Sequence, residues 1–356
     1  MSADCEIQGA DLPIRVLLVD DSPIVLRVLQ RLLSHSPEIQ VAGTAANGRE
    51  ALELLPVVNP DVICTDLYMP VMNGLEFTRA VMASHPLPIL VVSVSVEPGS
   101  PNVFHLLEAG AVDILPKPRD ILCAHTDKLA DELASKIRIL AGVRVFRRKI
   151  APVVESPSLP RPLAPLRMVV IGASTGGPQA LKEILEHLPV SFPLPVVCVQ
   201  HIGGSFLSGM VAWLAETSPL SVRKAIHGER PEAGTAYFAP EDVHLELDGG
   251  GRFVFSLAPP CDGHRPSVTV SMRAAARCFG SGTVGVLLTG MGQDGADGMV
   301  SIAAMGGITI AQDEASSIVY GMPKEAVARG AAGHVLPLEQ IAPALIMVAQ
   351  CGKNVE

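Results

Sequence analysis

Apolar residues in this chain gather in short unbroken bursts instead of alternating with polar ones. VLLV (16–19), ILVV (89–92), MVVI (168–171), VVCV (196–199) and VGVLL (284–288) are the clearest. Such runs suit strands of parallel sheets, which are buried on both faces. From Arg15 to about Ala141 these strands alternate with helix patterns. RVLLVD (15–20) is a strand, and Ser22-Pro23 opens a helix with Ser as N-cap and Pro at the first position. A weaker strand near 40–45, a helix over 48–58 and the strand DVICTD (61–66) come next. A helix over 74–83, the strand ILVVS (89–93) and a helix near 102–109 follow, the last stopped by Ala109-Gly110. A strand over 112–115 and a helix over 126–141 complete the series. Five βα units with short links predict a doubly wound parallel sheet.

Between 142 and 166 the pattern stops. Prolines at 152, 157, 160, 162 and 165 exclude an interior helix or a central strand, so this stretch reads as a semi-rigid linker. A second α/β pattern starts at RMVVIGAS and runs to about Ala349. Within it, residues 222–257 carry turn signals at Gly228, Gly234 and Gly249-Gly250-Gly251 and read as a hairpin-rich insertion. The expected organisation is an N-terminal extension (1–14), a first α/β domain (15–141), a linker (142–166) and a second α/β domain (167–352).

The chain's 356 residues suit two domains at roughly 100–200 residues each. Mean hydropathy is high, +0.37, yet no apolar run reaches the ~18 residues that span a bilayer, so no membrane insertion is expected. The N-terminus, MSADCEIQGAD, is acidic and lacks an apolar core, which predicts no secretory signal and a cytoplasmic location. A net charge of −9 argues against nucleic acid as a partner. The basic cluster Arg144, Arg147, Arg148 and Lys149 reads as a solvated segment beside the linker. Seven scattered cysteines without a C-x-x-C pair read as reduced thiols, not as a zinc or disulfide framework.

Candidate chemistry lies at strand ends. Asp20 and Asp21 end the first strand and Asp66 the third, where open α/β sheets bind ligands. Three converging carboxylates call for a cation, and hard oxygen ligands favour Mg²⁺. Lys117, between Pro116 and Pro118, puts an ammonium on the same rim. A carboxylate beside a divalent metal and a lysine is set up to accept a phosphoryl group. VDDS (19–22), DLYMP (66–70) and PKP (116–118) resemble the receiver domain of response regulators. That resemblance implies Asp66 as phosphoacceptor and Asp20, Asp21, Asp66 and the Tyr68 carbonyl as Mg²⁺ ligands. It also implies Ser93 as the switch hydroxyl and Lys117 as a phosphate contact. Ile114 departs from the pattern, standing where receivers usually carry an aromatic switch residue.

In the second domain, Gly172-Ala173-Ser174-Thr175-Gly176-Gly177 follows a strand and precedes a helix. It fits G-x-S-x-G, where glycines allow a strained turn that lifts the serine clear, and equally a phosphate-binding turn. His201 directly follows the strand VVCVQ, and VGVLLTGMGQDGADG offers Asp294 and Asp297 after another. Ser174, His201 and Asp294 at three strand ends form a plausible triad, in an order that differs from that of α/β-hydrolases.

IGASTGG (171–177), QH (200–201), YFAPEDVHL (237–245), RPSV (265–268), LLTGMGQDG (287–295), AQDEASS (311–317) and YGMP (320–323) resemble the methylesterase domain of the CheB family. The receiver–linker–esterase order is also that family's. The resemblance implies Ser174 as nucleophile, His201 as base and Asp294 as orienting acid, with the Thr175 and Met291 backbone N–H groups as oxyanion-hole candidates. It implies hydrolysis of glutamate methyl esters on methyl-accepting chemotaxis receptors, deamidation of their glutamines, and a CheA-type sensor histidine kinase as phosphodonor. No cofactor is implied for the ester hydrolysis. Gly203-Gly204 after the histidine, Thr269 and Ser271-Met272 depart from the family's usual residues without touching the triad. Two other readings compete with this one. A phospho-dependent binding module with an idle second domain is opposed by the intact Ser174, His201 and Asp294. A DNA-binding regulator would need a basic recognition helix, which is missing from the second half.

Overall fold

The computed structural model describes residues 12–94, 103–117, 126–143 and 164–351. The expected linker and the basic cluster at 144–149 therefore fall almost wholly outside the described residues. The chain divides into two compact units.

The first unit alternates β1 (Ile14–Val19), α1 (Pro23–Leu33), β2 (Ile39–Ala45), α2 (Gly48–Val58), β3 (Val62–Thr65) and α3 (Gly74–Ser84). It continues with β4 (Ile89–Ser93), α4 (His105–Glu108), β5 (Asp113–Pro116) and α5 (Thr126–Ala141). All neighbouring strands are parallel, in the order β2-β1-β3-β4-β5. Polar caps set the helix starts. Ser22 accepts the Val25 N–H at 3.4 Å, and Asn73 and Glu76 form a reciprocal capping box at α3. The order reverses between β1 and β3, so their carboxyl ends open the crevice in which such sheets bind ligands.

The second unit runs β6 (Met168–Ala173), α6 (Gly177–His187), β7 (Val196–Gln200), α7 (Gly204–Thr217), β8 (Ser221–Lys224) and β9 (Thr235–Phe238). Then come β10 (His244–Leu247), β11 (Phe253–Ser256), α8 (Val268–Phe279), β12 (Thr283–Leu287) and α9 (Ala296–Ala304). The unit ends with β13 (Ile308–Gln312), α10 (Met322–Ala328), β14 (His334–Leu336) and α11 (Leu338–Cys351). Seven strands form one sheet in the order β14-β13-β12-β6-β7-β9-β8. β6, β7 and β12 are buried along their whole length, as their unbroken apolar sequences require.

The hairpin insertion is narrower than the glycine pattern suggests. Only β10 and β11 pair as an antiparallel hairpin, whereas β8 and β9 join the edge of the main sheet in parallel. The turns at Gly228 and Gly234, both at positive φ, lie in a connection long enough to bring the chain back to the same end. The thiols of Cys64, Cys198, Cys261 and Cys278 are free, and burial pushes Cys64 up to about 12. Among the described residues, no helix is long and apolar enough to cross a membrane.

Candidate active site and phosphoacceptor pocket

At the crevice of the first sheet, Asp20 and Asp66 are buried and Asp21 is exposed. Ligand oxygens of the three lie within 4.8 Å of one another. Lys117 bridges two of them, its Nζ lying 2.7 Å from Asp20 Oδ2 and 2.5 Å from Asp66 Oδ2. The other Asp66 oxygen accepts from Ser93 Oγ at 2.8 Å and from the Leu67 N–H at 2.7 Å. Burial raises the Asp20 carboxyl, and bonds from Lys117 and the Ser22 N–H only partly offset it. Burial also opposes the Lys117 charge, yet its bonds to Asp20 and Asp66 outweigh that and hold the ammonium above its ordinary value. Asp20, Asp21, Asp66, Ser93 and Lys117 therefore lie together at this crevice. Ile114 is buried within β5, and Tyr68 is partly exposed.

In the second sheet the order reverses between β6 and β12. Ser174 leaves β6, His201 leaves β7, and the loop after β12 carries Asp294, so all three emerge at one sheet end. The serine turn depends on Gly176, whose φ of 76° lies in the left-handed region. Thr289 locks that turn to the β12 loop. Its carbonyl accepts the Ser174 N–H at 3.0 Å, and its hydroxyl donates to the Thr175 carbonyl at 3.0 Å.

His201 Nε2 lies 2.9 Å from Asp294 Oδ2, with side chains 8% and 1% exposed. Asp294 sits against the N-terminus of α8. Its oxygens accept from Ser267 Oγ at 2.7 Å, Val268 N at 2.8 Å, Thr269 N at 2.9 Å and Gly295 N at 2.9 Å. Burial alone would raise this carboxyl. The bonds from His201, Thr269 and Ser267 reverse the sign and hold it well below the usual carboxylate range. An ionised Asp294 can only accept in this bond, so the histidine donates from Nε2–H, and in the neutral ring Nδ1 keeps the lone pair. Nδ1 is buried and has no hydrogen-bond partner.

The other acid offered by the sequence is used differently. Asp297, in the first turn of α9, pairs with Arg273 at 3.1 Å and with Arg329. Three further residues join the site that the sequence did not name as functional. Gln200 donates to the Ser174 and His201 carbonyls, Ser267 caps α8 while holding Asp294, and the His264 ring lies on His201. Gln200 and Ser267 stand in the QH and RPSV motifs, which could have suggested them, whereas His264 stands in none.

Family models bear on both units. Residues 16–125 match the response regulator receiver domain, and residues 169–345 match the CheB methylesterase. Together these define a response regulator with an enzymatic output domain. A protein-glutamate methylesterase/protein-glutamine glutaminase of Nitrosospira multiformis is 42% identical over 96% of this chain and 99% of its own. The one from Pyrococcus abyssi is 40% identical, covering 95% and 94%. The crystal structure of the Thermotoga maritima CheB methylesterase catalytic domain covers 51% of this chain and 98% of its own, at 39% identity and a TM-score of 0.51. The chain belongs to the CheB methylesterase family.

Proposed function

We propose that this protein is a phosphorylation-regulated hydrolase acting on glutamate methyl esters of chemotaxis receptors, and on receptor glutamines by deamidation. The observation that carries it is the buried His201–Asp294 pair at the sheet end from which Ser174 emerges. Ser174 Oγ gives its proton to His201 Nδ1 and attacks the γ-carbonyl carbon of the ester. Backbone N–H groups of Thr175 and Met291 donate to the developing oxyanion. Asp294 keeps the Nε2 proton in place and offsets the charge of the imidazolium. The imidazolium returns its proton to the departing methoxide, and methanol leaves. Water then gives a proton to Nδ1 and attacks the acyl-serine; the imidazolium returns that proton to Ser174 Oγ as the acyl bond breaks, and glutamate is freed. With glutamine the leaving group is ammonia, a poorer one, so deamidation is the slower reaction.

In the first unit Asp66 is the phosphoacceptor and a CheA-type histidine kinase the donor. Mg²⁺ would be held by Asp20, Asp21, Asp66 and the Tyr68 carbonyl, and when bound it offsets charge on the transferred oxygens. The crowding of three carboxylates, with the buried Asp20 raised, fits such a cation. Ser93 and Lys117, both already on Asp66, are the groups that report the phosphoryl oxygens. The proposed boundaries are a receiver over 15–141, a linker over 142–166 and an esterase over 167–352, in a cytoplasmic protein.

Methanol release from methylated receptor membranes tests the triad. Ser174→Ala is expected to abolish it, and equal rates in variant and wild type would sink the assignment. Asp66→Asn is expected to abolish labelling by a small phosphodonor in Mg²⁺.

A further inference from the structure

His264 belongs to no element of the triad, yet its imidazole lies flat against that of His201. The ring centroids are 3.7 Å apart and the planes differ by 7°. The backbone that carries it is tightly constrained. Asp262 and Gly263, at φ of 50° and 81°, form a two-residue turn. It is closed by Cys261 N to His264 O at 3.1 Å and His264 N to Cys261 O at 2.9 Å. An Asp-Gly pair with both φ positive is the favoured composition for such a turn. At its tip, Asp262 Oδ1 accepts from Gln293 Nε2 at 3.1 Å, and Gln293 directly precedes Asp294. The two ends of the segment 259–267 that carries this turn are tied by one buried side chain. His244 donates from Nε2 to the Pro259 carbonyl at 3.1 Å and accepts the Ser267 N–H on Nδ1 at 3.3 Å. Arg265 Nη1 adds bonds to the Leu257 and Ala258 carbonyls, both at 3.3 Å.

We infer that His264 is a positioning residue that fixes the ring plane of the general base. This deepens the hydrolase reading above and rests on it. The bond to Asp294 anchors only Nε2, and the imidazole is still free to rock about that anchor. The opposite nitrogen, Nδ1, has no hydrogen bond to restrain it. A flat ring in van der Waals contact on one face removes that freedom and fixes the direction of Nδ1, the nitrogen that takes the serine proton in the hydrolase reading above. The same ring covers one face of the imidazolium that forms when Ser174 releases its proton. Both effects depend on shape and not on a proton, so a benzene ring should serve where a methyl group cannot.

The test uses full-length protein carrying His264→Ala or His264→Phe, with methanol release from methylated receptor membranes as one readout. The second readout is the far-downfield proton resonance of the His201 Nε2–H bonded to Asp294, which needs no receptor. His264→Ala is expected to lower kcat about ten-fold with KM within about two-fold, and to broaden the resonance. His264→Phe is expected to restore kcat to within about three-fold of wild type and to sharpen the resonance again. Wild-type kcat and a sharp resonance in His264→Ala would overturn the inference. So would a Phe variant no better than Ala on both readouts. Absence of methanol release from the wild type would count against the hydrolase reading, while the resonance would still decide the role of His264.

Discussion

Gln200 Nε2 donates to the backbone carbonyl of Ser174 at 2.8 Å, and the same nitrogen reaches the carbonyl of His201 at 2.9 Å. One buried amide therefore spans the turn of the candidate nucleophile and the strand end of the candidate base. It fixes their separation through the backbone and leaves both reacting side chains unhindered. The arrangement has a cost, because the Gln200 Oε1 atom is itself buried without a partner.

Replacing Gln200 by Leu removes the donor that two partly buried carbonyls share and also removes the orphaned oxygen. The two changes oppose each other, so the net loss of stability is expected to be only about 1–2 kcal/mol. Activity should suffer more, with kcat down about ten-fold or beyond, because the spacing of Ser174 and His201 is released. Urea unfolding and methanol release measured on one preparation check this. A variant that loses stability but keeps full kcat would show that the amide serves folding alone.

Ser267 gives a second prediction, with a definite pH dependence. Its hydroxyl donates to Asp294 and caps α8 by accepting the Val270 N–H at 3.4 Å. Ser267→Ala is expected to cost about 1–2 kcal/mol at neutral pH. Asp294 is held below its ordinary value, so its contribution is complete above the unfolded value, near pH 4. That contribution is lost as pH falls through the lower folded value. The variant raises the folded value towards the unfolded one, so the stability gap between the two proteins should narrow on acidification below about pH 4. A gap independent of pH would mean that Ser267 acts only as a helix cap.

These dependencies explain which parts were readable from sequence. The strands carrying Ser174, His201 and Asp66 announce themselves because double-sided burial demands unbroken apolar runs. Strand ends then place the chemistry, since a doubly wound sheet gathers it at the switch point. Asp294 and Asp297 could not be separated by pattern, being three residues apart on one glycine-rich loop. What separates them is tertiary: α8 aims its N–H groups at one, and Arg273 and Arg329 take the other. His264 was hidden for a related reason. Its turn is a local feature, but the ring it covers lies 63 positions earlier, just after β7. The glycines at 228 and 234 misled because a turn signal does not say whether the returning strand is antiparallel.

Val71 marks a strained point in the loop after β3. It holds a φ of 67°, unusual for a β-branched residue, and the Met72 N–H bonds back to the Pro70 carbonyl at 2.7 Å. The side chain is exposed, so no packing is lost when it is removed. Val71→Gly is expected to stabilise the receiver by about 1 kcal/mol, as relief of strain exceeds the added freedom of the unfolded chain. Thermal unfolding reads this directly, and a lowered midpoint would contradict it.

Lys117 separates two carboxylates that otherwise face each other. Lys117→Ala is expected to destabilise the receiver by about 2 kcal/mol without added metal, because two largely buried charges lose their partner. Millimolar Mg²⁺ should then raise the unfolding midpoint more in the variant than in the wild type, as the cation takes over the neutralisation. Equal shifts in the two proteins would argue that the cation does not sit among Asp20, Asp21 and Asp66.

The last prediction separates the two activities by one methyl group. Gly290, on the loop after β12, approaches Ser174 so closely that a Cβ there would lie 2.7 Å from the serine Cβ and 2.4 Å from Met322 Sδ. The methionine can give way, being the flexible end of a side chain, but the serine Cβ can move only with its turn. The loop is equally fixed: the Gly290 N–H bonds to the Val319 carbonyl at 3.0 Å, and its own carbonyl accepts from Met322 N at 2.9 Å. Gly290→Ala must therefore displace either the serine turn or the loop leading to Asp294. A displacement on the order of 1 Å is expected to lower kcat about a hundred-fold. The receiver is untouched by the change, so labelling of Asp66 by a small phosphodonor should proceed at the wild-type rate. Esterase activity retained in Gly290→Ala would mean that the site tolerates movement of its nucleophile, against the rigid geometry argued for Ser174, Gln200 and Asp294.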